Sequence, residues 1–415
     1  MSKKTLGIVL VCLFAALILG ACNYYESSGQ HTEDLIVYDN PAATPEPDTI
    51  ITTPAPDNQS AETTIDLWPA DNFHFNVNYV LLEWGVQVHT VHRGVLWAAV
   101  HHSAGQLLNS TDQGASWALV YEFCKPIRAV HIDQADNIFV SVTMGRFDPV
   151  GTGEIFRSSD GGTTFTQVLT VLSGSAENWN IASRDGLMFI SEYGYKGHGD
   201  NARRIYRSTD WGLTWEVVFD PGPRYNYHHH KILILDDGTI YQSVGDGRNA
   251  EILRSVNNGD TWHTAVRGLQ PTGAVVLEDY ILWGLDGGPW CGVARYNRRT
   301  GEVTPAFVTP YPFKSSNYAM VKAHGVIYAM FLSYGGIYTH PGSIFFSKDY
   351  GVTWELLGYI TKEPEWGVGF YHIVADEQFA YVNMCAPIYR YGRRYAFVGT
   401  LRFELIRPEQ EGCHD

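Results

Sequence analysis

Residues 225–249 read YNYHHHKILILDDGTIYQSVGDGRN, three consecutive histidines at the head of an alternating apolar run. Imidazole is the side chain whose ordinary titration lies nearest neutral pH, so such a cluster can exchange protons, hydrogen-bond sugars or hold an orienting charge. Side chains alternate along a strand, which sets His228 and His230 on one face and His229 on the other. Asp246 and Arg248 follow where the chain returns beside them. The preceding stretch EYGYKGHGDNAR, 192–203, supplies Tyr193, His198 and Arg203.

Three chemistries suit these residue types. In the first, a sugar is bound by aromatic faces such as Tyr227, Trp290 and Trp366, with His198, His228, Arg203 and Asp286 on its polar groups. The second is β-elimination on a uronic-acid polysaccharide. There Arg248 or Arg203 neutralises the carboxylate, His230 removes the adjacent proton and Tyr193 protonates the leaving oxygen. The third is hydrolysis by two carboxylates drawn from Asp246, Asp286, Glu192 and Glu365. His230, Tyr193, Arg248 and Asp246 are the expected catalytic set.

What positions these residues is a repeat. STDQGASW begins at Ser110, SSDGGTTF at Ser158, STDWGLTW at Ser208, SVNNGDTW at Ser255 and SKDYGVTW at Ser347. Successive copies are 48, 50, 47 and 92 residues apart, and the last step leaves room for a degenerate copy at RYNRRTGEV near 300. Asp or Asn in third place can brace a tight turn, and glycine in fifth place takes a backbone conformation other residues resist. The final aromatic opens the next strand.

The pattern resembles the Asp-box, or BNR repeat, of sialidases and other β-propeller proteins. That resemblance implies an all-β fold of radially arranged four-stranded antiparallel blades. It also makes Asp112, Asp160, Asp210, Asn257 and Asp349 structural, on hairpins between third and fourth strands and away from any substrate. Third strands read at 106–110, 154–158, 203–208, 250–255, 292–296, 343–347 and 386–391 predict seven blades, with six as the alternative. Closure falls to FHFNVNYVLLEW near residue 75 or to YAFVGTLRFELI at the C-terminus. The loops from second to third strands and the blade connections of blades three to six form the expected functional face. No aromatic-Arg-Ile/Leu-Pro tetrapeptide precedes the first box, so the resemblance to sialidases stops short of their active site. No cofactor is implied, and a divalent metal near the central channel stays open.

The first 21 residues, with Lys3 and Lys4 before the apolar run from Leu6 to Gly20, have the layout of a cleaved signal peptide. Leu19-Gly20-Ala21-Cys22 resembles a bacterial lipobox, which implies a lipid on Cys22 and a place in the cell envelope facing away from the cytoplasm. Residues 22–66 are rich in proline and threonine and carry nine acidic residues with no lysine or arginine. They cannot bury enough apolar surface to fold and serve as a tether. Residues 67–415 form the propeller, with 35 acidic against 27 basic residues. That balance argues against a nucleic-acid partner, which would want a basic face, while leaving an acidic polysaccharide open because arginines can cluster locally. The expected partners are an extracellular glycan and, through the lipid, the membrane, with the chain acting as a monomer. The alternative is a non-enzymatic propeller that binds protein or assembles a complex at the membrane.

Overall fold

In the computed structural model the described residues are 73–407, except 84, 101–104, 144–151, 195–201, 224–227, 288–290, 314, 334–339, 362–367 and 391–392. Among them every ladder between strands is antiparallel, and the strands form five four-stranded sheets and one nine-stranded sheet in which two further four-stranded units are joined where Leu332 and Ser333 pair with Gly369 and Val368. Their innermost strands are Val86–His92, Ile127–Ile132, Ile181–Arg184, His229–Ile234, Pro271–Val276, Ser316–Ala323 and Val368–Ala375. This is the seven-bladed propeller that the repeat predicts.

The last blade corrects the predicted strand order. Residues 386–390 end its second strand, Phe379–Arg390, and the third is Arg393–Glu404. No turn motif marks this blade, so sequence spacing alone had nothing to fix its hairpin. Both predicted closing segments are used. The C-terminal segment supplies the third strand, and Tyr79–Leu81 pairs beside it as the fourth. Phe73–Phe75 adds a further strand to the sixth blade, against Glu355–Ile360.

Side chains also fasten the ring. Asn383 of the last blade exchanges two hydrogen bonds with Val88 of the first: Val88 N donates to Oδ1 at 3.1 Å and Nδ2 donates to Val88 O at 2.9 Å. Its amide imitates a strand across the seam. Apolar side chains fill the gap between each pair of neighbouring blades. Trp97 and Leu107 meet Ile127 and Val140 between the first two, and Leu282 and Val293 meet Ile327 and Phe345 between the fifth and sixth.

The recurring turns lock these gaps. Ser208 Oγ donates to Asp210 Oδ1 at 2.7 Å and accepts from Gly212 N at 2.9 Å. Thr214 donates both its hydroxyl and its amide to Asp210, and these bonds hold the carboxyl down to about 2. Asp112, Asp160 and Asp349 are bound in the same way. Asn257 keeps the geometry by donating Nδ2 to Thr261 Oγ1 at 3.0 Å. All five serve turns between third and fourth strands.

The glycine in fifth place has two duties. Gly212 sits at φ +75°, and a Cβ there would lie 2.3 Å from Phe139 of the preceding blade. Gly301, in the degenerate fifth-blade hairpin, sits at φ +76° with nothing within 4 Å. Gly301→Ala should therefore cost only the backbone strain, about 1–2 kcal/mol. Gly212→Ala adds overpacking against Phe139, for a total of about 2–5 kcal/mol. Urea unfolding of the two variants checks this, and equal losses would contradict the packing role.

Candidate functional site

Antiparallel alternation puts the turns between third and fourth strands, where the motifs lie, at one end of the blades and the loops from second to third strands at the other. The histidine cluster belongs to the second end. The inner strand His229–Ile234 has a register shift between His229 and Ile232, which takes part of its backbone out of the ladder. Asn180 fills the gap, donating Nδ2 to His229 O at 3.0 Å and to His230 O at 2.8 Å.

Asn180 ends the short 3-10 turn Asn178–Asn180, whose side chains reach the first, third, fourth and sixth blades. Its neighbours explain that position. Glu177 accepts from Arg128 Nε at 3.0 Å and Nη2 at 2.8 Å, tying the turn to the second blade. The Asn178 side chain meets His89 Nδ1 of the first blade at 2.8 Å. Trp179 packs edge-on against Tyr193 of the third blade, with centroids 5.4 Å apart, and against Tyr318 of the sixth, at 6.2 Å. One turn thus spans the mouth of the channel.

Beside it stand His228 and His230, both buried, with rings stacked 4.8 Å apart at 22°. Tyr193 meets both edge-on, at 4.9 and 5.9 Å. His228 Nε2 lies 3.3 Å from Asp246 Oδ2, and His230 Nε2 lies 3.4 Å from Asp246 Oδ1. Burial alone would raise the Asp246 carboxyl, but the two imidazoles beside it outweigh that effect and hold the group well below the usual range. Gln270 Nε2 donates to Asp246 Oδ1 at 2.7 Å and reaches Asp286 Oδ2 at 3.4 Å. The two carboxylate oxygens therefore lie within about 6 Å of each other, the sum of those contacts. Tyr318 OH donates to Asp286 Oδ2 at 3.4 Å.

The structure thus brings together His228, His230, Tyr193, Asp246 and Asp286, from the third, fourth and fifth blades. It does not bring the expected arginines to them. Arg203 Nε donates to Asp220 Oδ1 at 2.7 Å, an ion pair that draws the guanidinium to the edge of its blade. Arg248 is exposed on the short turn Gly247–Asn249, where the chain leaves Asp246 pointing inward and the next side chains outward. Glu192 is fully buried and accepts from Arg203 N, Arg204 N and Tyr206 OH, which makes it a structural carboxylate. His198, Tyr227, Trp290, Trp366, Glu365 and the lipidation candidate Cys22 lie outside the described residues. Sequence reasoning missed Trp179, Gln270 and Tyr318. Each lies at or next to a blade connection, which was the available signal. It set His228 and His230 on one strand face but did not join them with Asp246 as a ligand set. With Asp246 they offer three ligand atoms within 4.8 Å of one another, a set that could hold a metal ion.

His229, on the opposite face, stacks edge-on against Phe219 at 6.3 Å, and burial holds it down to about 3. His89, at about 3, and His131 and His372, at about 4, are likewise lowered first by burial. Lys231, in the same bulge, is held down to about 8 by burial alone. These histidines are neutral in the fold and ionise freely once it opens. As pH falls below about 6.5 the unfolded chain binds protons that the folded chain does not, so stability declines from there to about pH 3–4. Each histidine should cost roughly 2 kcal/mol at pH 5. Urea unfolding at pH 7.5 and pH 5 reads the difference, and equal stability at both would contradict it.

No family model matches the chain. It is 32% identical over 145 residues to a xyloglucanase of Acetivibrio thermocellus, a match covering 27% of this chain and 17% of that protein. A xyloglucanase of a Paenibacillus species is 26% identical over 212 residues, 43% of this chain and 20% of that protein. Each match thus takes in a fifth or less of the relative's length. Among solved structures, the GH74 xyloglucanase from Xanthomonas campestris superposes with a TM-score of 0.54 at 16% identity, over 76% of this chain and 54% of that chain. That likeness agrees with the propeller fold.

Proposed function

We propose that this protein is an Asp-box propeller lipoprotein of a bacterial cell envelope that binds a neutral extracellular glycan at its channel mouth. One observation carries the reading: Asp246 and Asp286, joined through Gln270, face a surround formed by Trp179, Tyr193 and Tyr318. Carboxylates and amides accept and donate to sugar hydroxyls, and aromatic faces pack on the apolar faces of sugar rings. Two carboxylates repel a uronate, and β-elimination needs a cation that neither Arg203, paired to Asp220, nor exposed Arg248 supplies at this point. The printed names of the relatives make xyloglucan the first polysaccharide to try.

A second reading, hydrolysis, rests on two carboxylates whose oxygens lie no more than about 6 Å apart, a bound that admits the roughly 5–5.5 Å of an acid and nucleophile pair. The test is a panel of neutral and acidic polysaccharides, scored for binding and for new reducing ends. Trp179→Ala should weaken binding about 10-fold through lost ring packing. Asp286→Asn should keep most binding while release falls by about 100-fold or more. Binding without release from any substrate would leave a carbohydrate-binding protein. Binding unchanged in Trp179→Ala, or confined to acidic polysaccharides, would contradict the site, and no binding at all would favour the complex-assembly alternative.

The anchor is tested separately. In bacterial cells, Cys22→Ser should move the protein from the membrane fraction to the soluble envelope fraction. Retention at the membrane would contradict lipidation at that cysteine.

A further inference from the structure

We infer that His228, His230 and Asp246 form a binding site for one first-row divalent transition-metal ion, of the zinc or manganese kind. Three observations meet here. The two histidine Nε2 atoms approach the two oxygens of one carboxylate at 3.3 and 3.4 Å. Charge-assisted hydrogen bonds are shorter, about 2.7–2.9 Å. Neighbouring ligands on a tetrahedral metal with bonds of about 2.1 Å stand about 3.4 Å apart, which matches these two contacts, one to each carboxylate oxygen. The imidazoles are nearly parallel, and all three ligand atoms fall within 4.8 Å.

His230 adds the second argument. It is 2% exposed, and neither ring nitrogen makes a hydrogen bond among the described residues. Buried polar atoms are seldom left so, and an imidazole nitrogen aimed at a carboxylate without bonding it is placed as a ligand is placed. The third is support from behind. Gln270 fixes Asp246 Oδ1, Asn180 fixes the His230 carbonyl, and Gly245 N donates to His228 O at 2.8 Å. Such outer contacts orient ligands before a metal arrives.

Two nitrogens and one carboxylate suit a transition metal; calcium and magnesium prefer oxygen sets. Three protein ligands leave coordination positions for water or a ligand hydroxyl. The inference stands apart from the glycan reading. If it holds, Asp246 is a ligand, and Asp286 stands beside it, held by Gln270 and Tyr318.

The experiment is isothermal titration calorimetry on the full chain, stripped with a chelator and dialysed, with zinc chloride, manganese chloride and calcium chloride in separate runs. Zinc or manganese should bind at one per chain with micromolar affinity or better. His228→Ala and Asp246→Asn should each weaken this at least 100-fold. Gln270→Ala keeps all three ligands and should weaken it about 10-fold, so it carries the test if a ligand variant fails to fold. His263→Ala, exposed on an outer strand, should bind as the wild type does. Absence of saturable binding by the wild type would overturn the inference, leaving a plain histidine–aspartate cluster. Equal binding by the ligand variants, or calcium binding as tightly as zinc, would overturn it too.

Discussion

The Asn180 amide is the constraint on which the mouth depends. A bulge at the head of an inner strand lets His228 and His230 point together toward Asp246, but it takes the carbonyls of His229 and His230 out of the regular ladder. Asn180 satisfies both, and Asn180 is itself fixed because Glu177 N donates to its Oδ1 at 3.2 Å. Buried carbonyls left unpaired cost about 1–3 kcal/mol each. The contact that permits the bulge also sets Trp179 between Tyr193 and Tyr318, because the two residues are neighbours in one turn.

The two ends of the blades divide the work. At one end, the repeated turns bind their own carboxylates into local hydrogen bonds and press a glycine against the preceding blade, which fixes how blades lean on each other. Those carboxylates are fully engaged in the turn and have no part in the mouth. At the other end, loops and connections are freed from that duty and carry varied polar and aromatic side chains. A carboxylate's role in this fold thus follows from which end of its strand it occupies.

The repeat made the blade pattern legible because each copy closes a hairpin by itself, through contacts no more than four residues apart. Alternation likewise put His228 and His230 on one face, with Asp246 just past the returning strand beside them. The last blade was harder, since no motif marks its hairpin and its fourth strand comes from the other end of the chain. Trp179 and Tyr318 meet across the ring from 139 residues apart, a distance no local pattern encodes. The arginines failed for a related reason: Arg203 had a choice between the mouth and Asp220, and only the folded geometry shows that Asp220 takes it.

The central claim is that ligand binding belongs to the end of the propeller capped by Trp179. Hydrogen exchange of the full chain, with and without a saturating xyloglucan oligosaccharide, tests it most directly. Exchange should slow in segments 175–193, 228–246, 268–286 and 316–320, with no change in the turn hairpins around Asp112, Asp160, Asp210, Asn257 and Asp349. Protection centred on those hairpins, with the mouth segments unchanged, would contradict it.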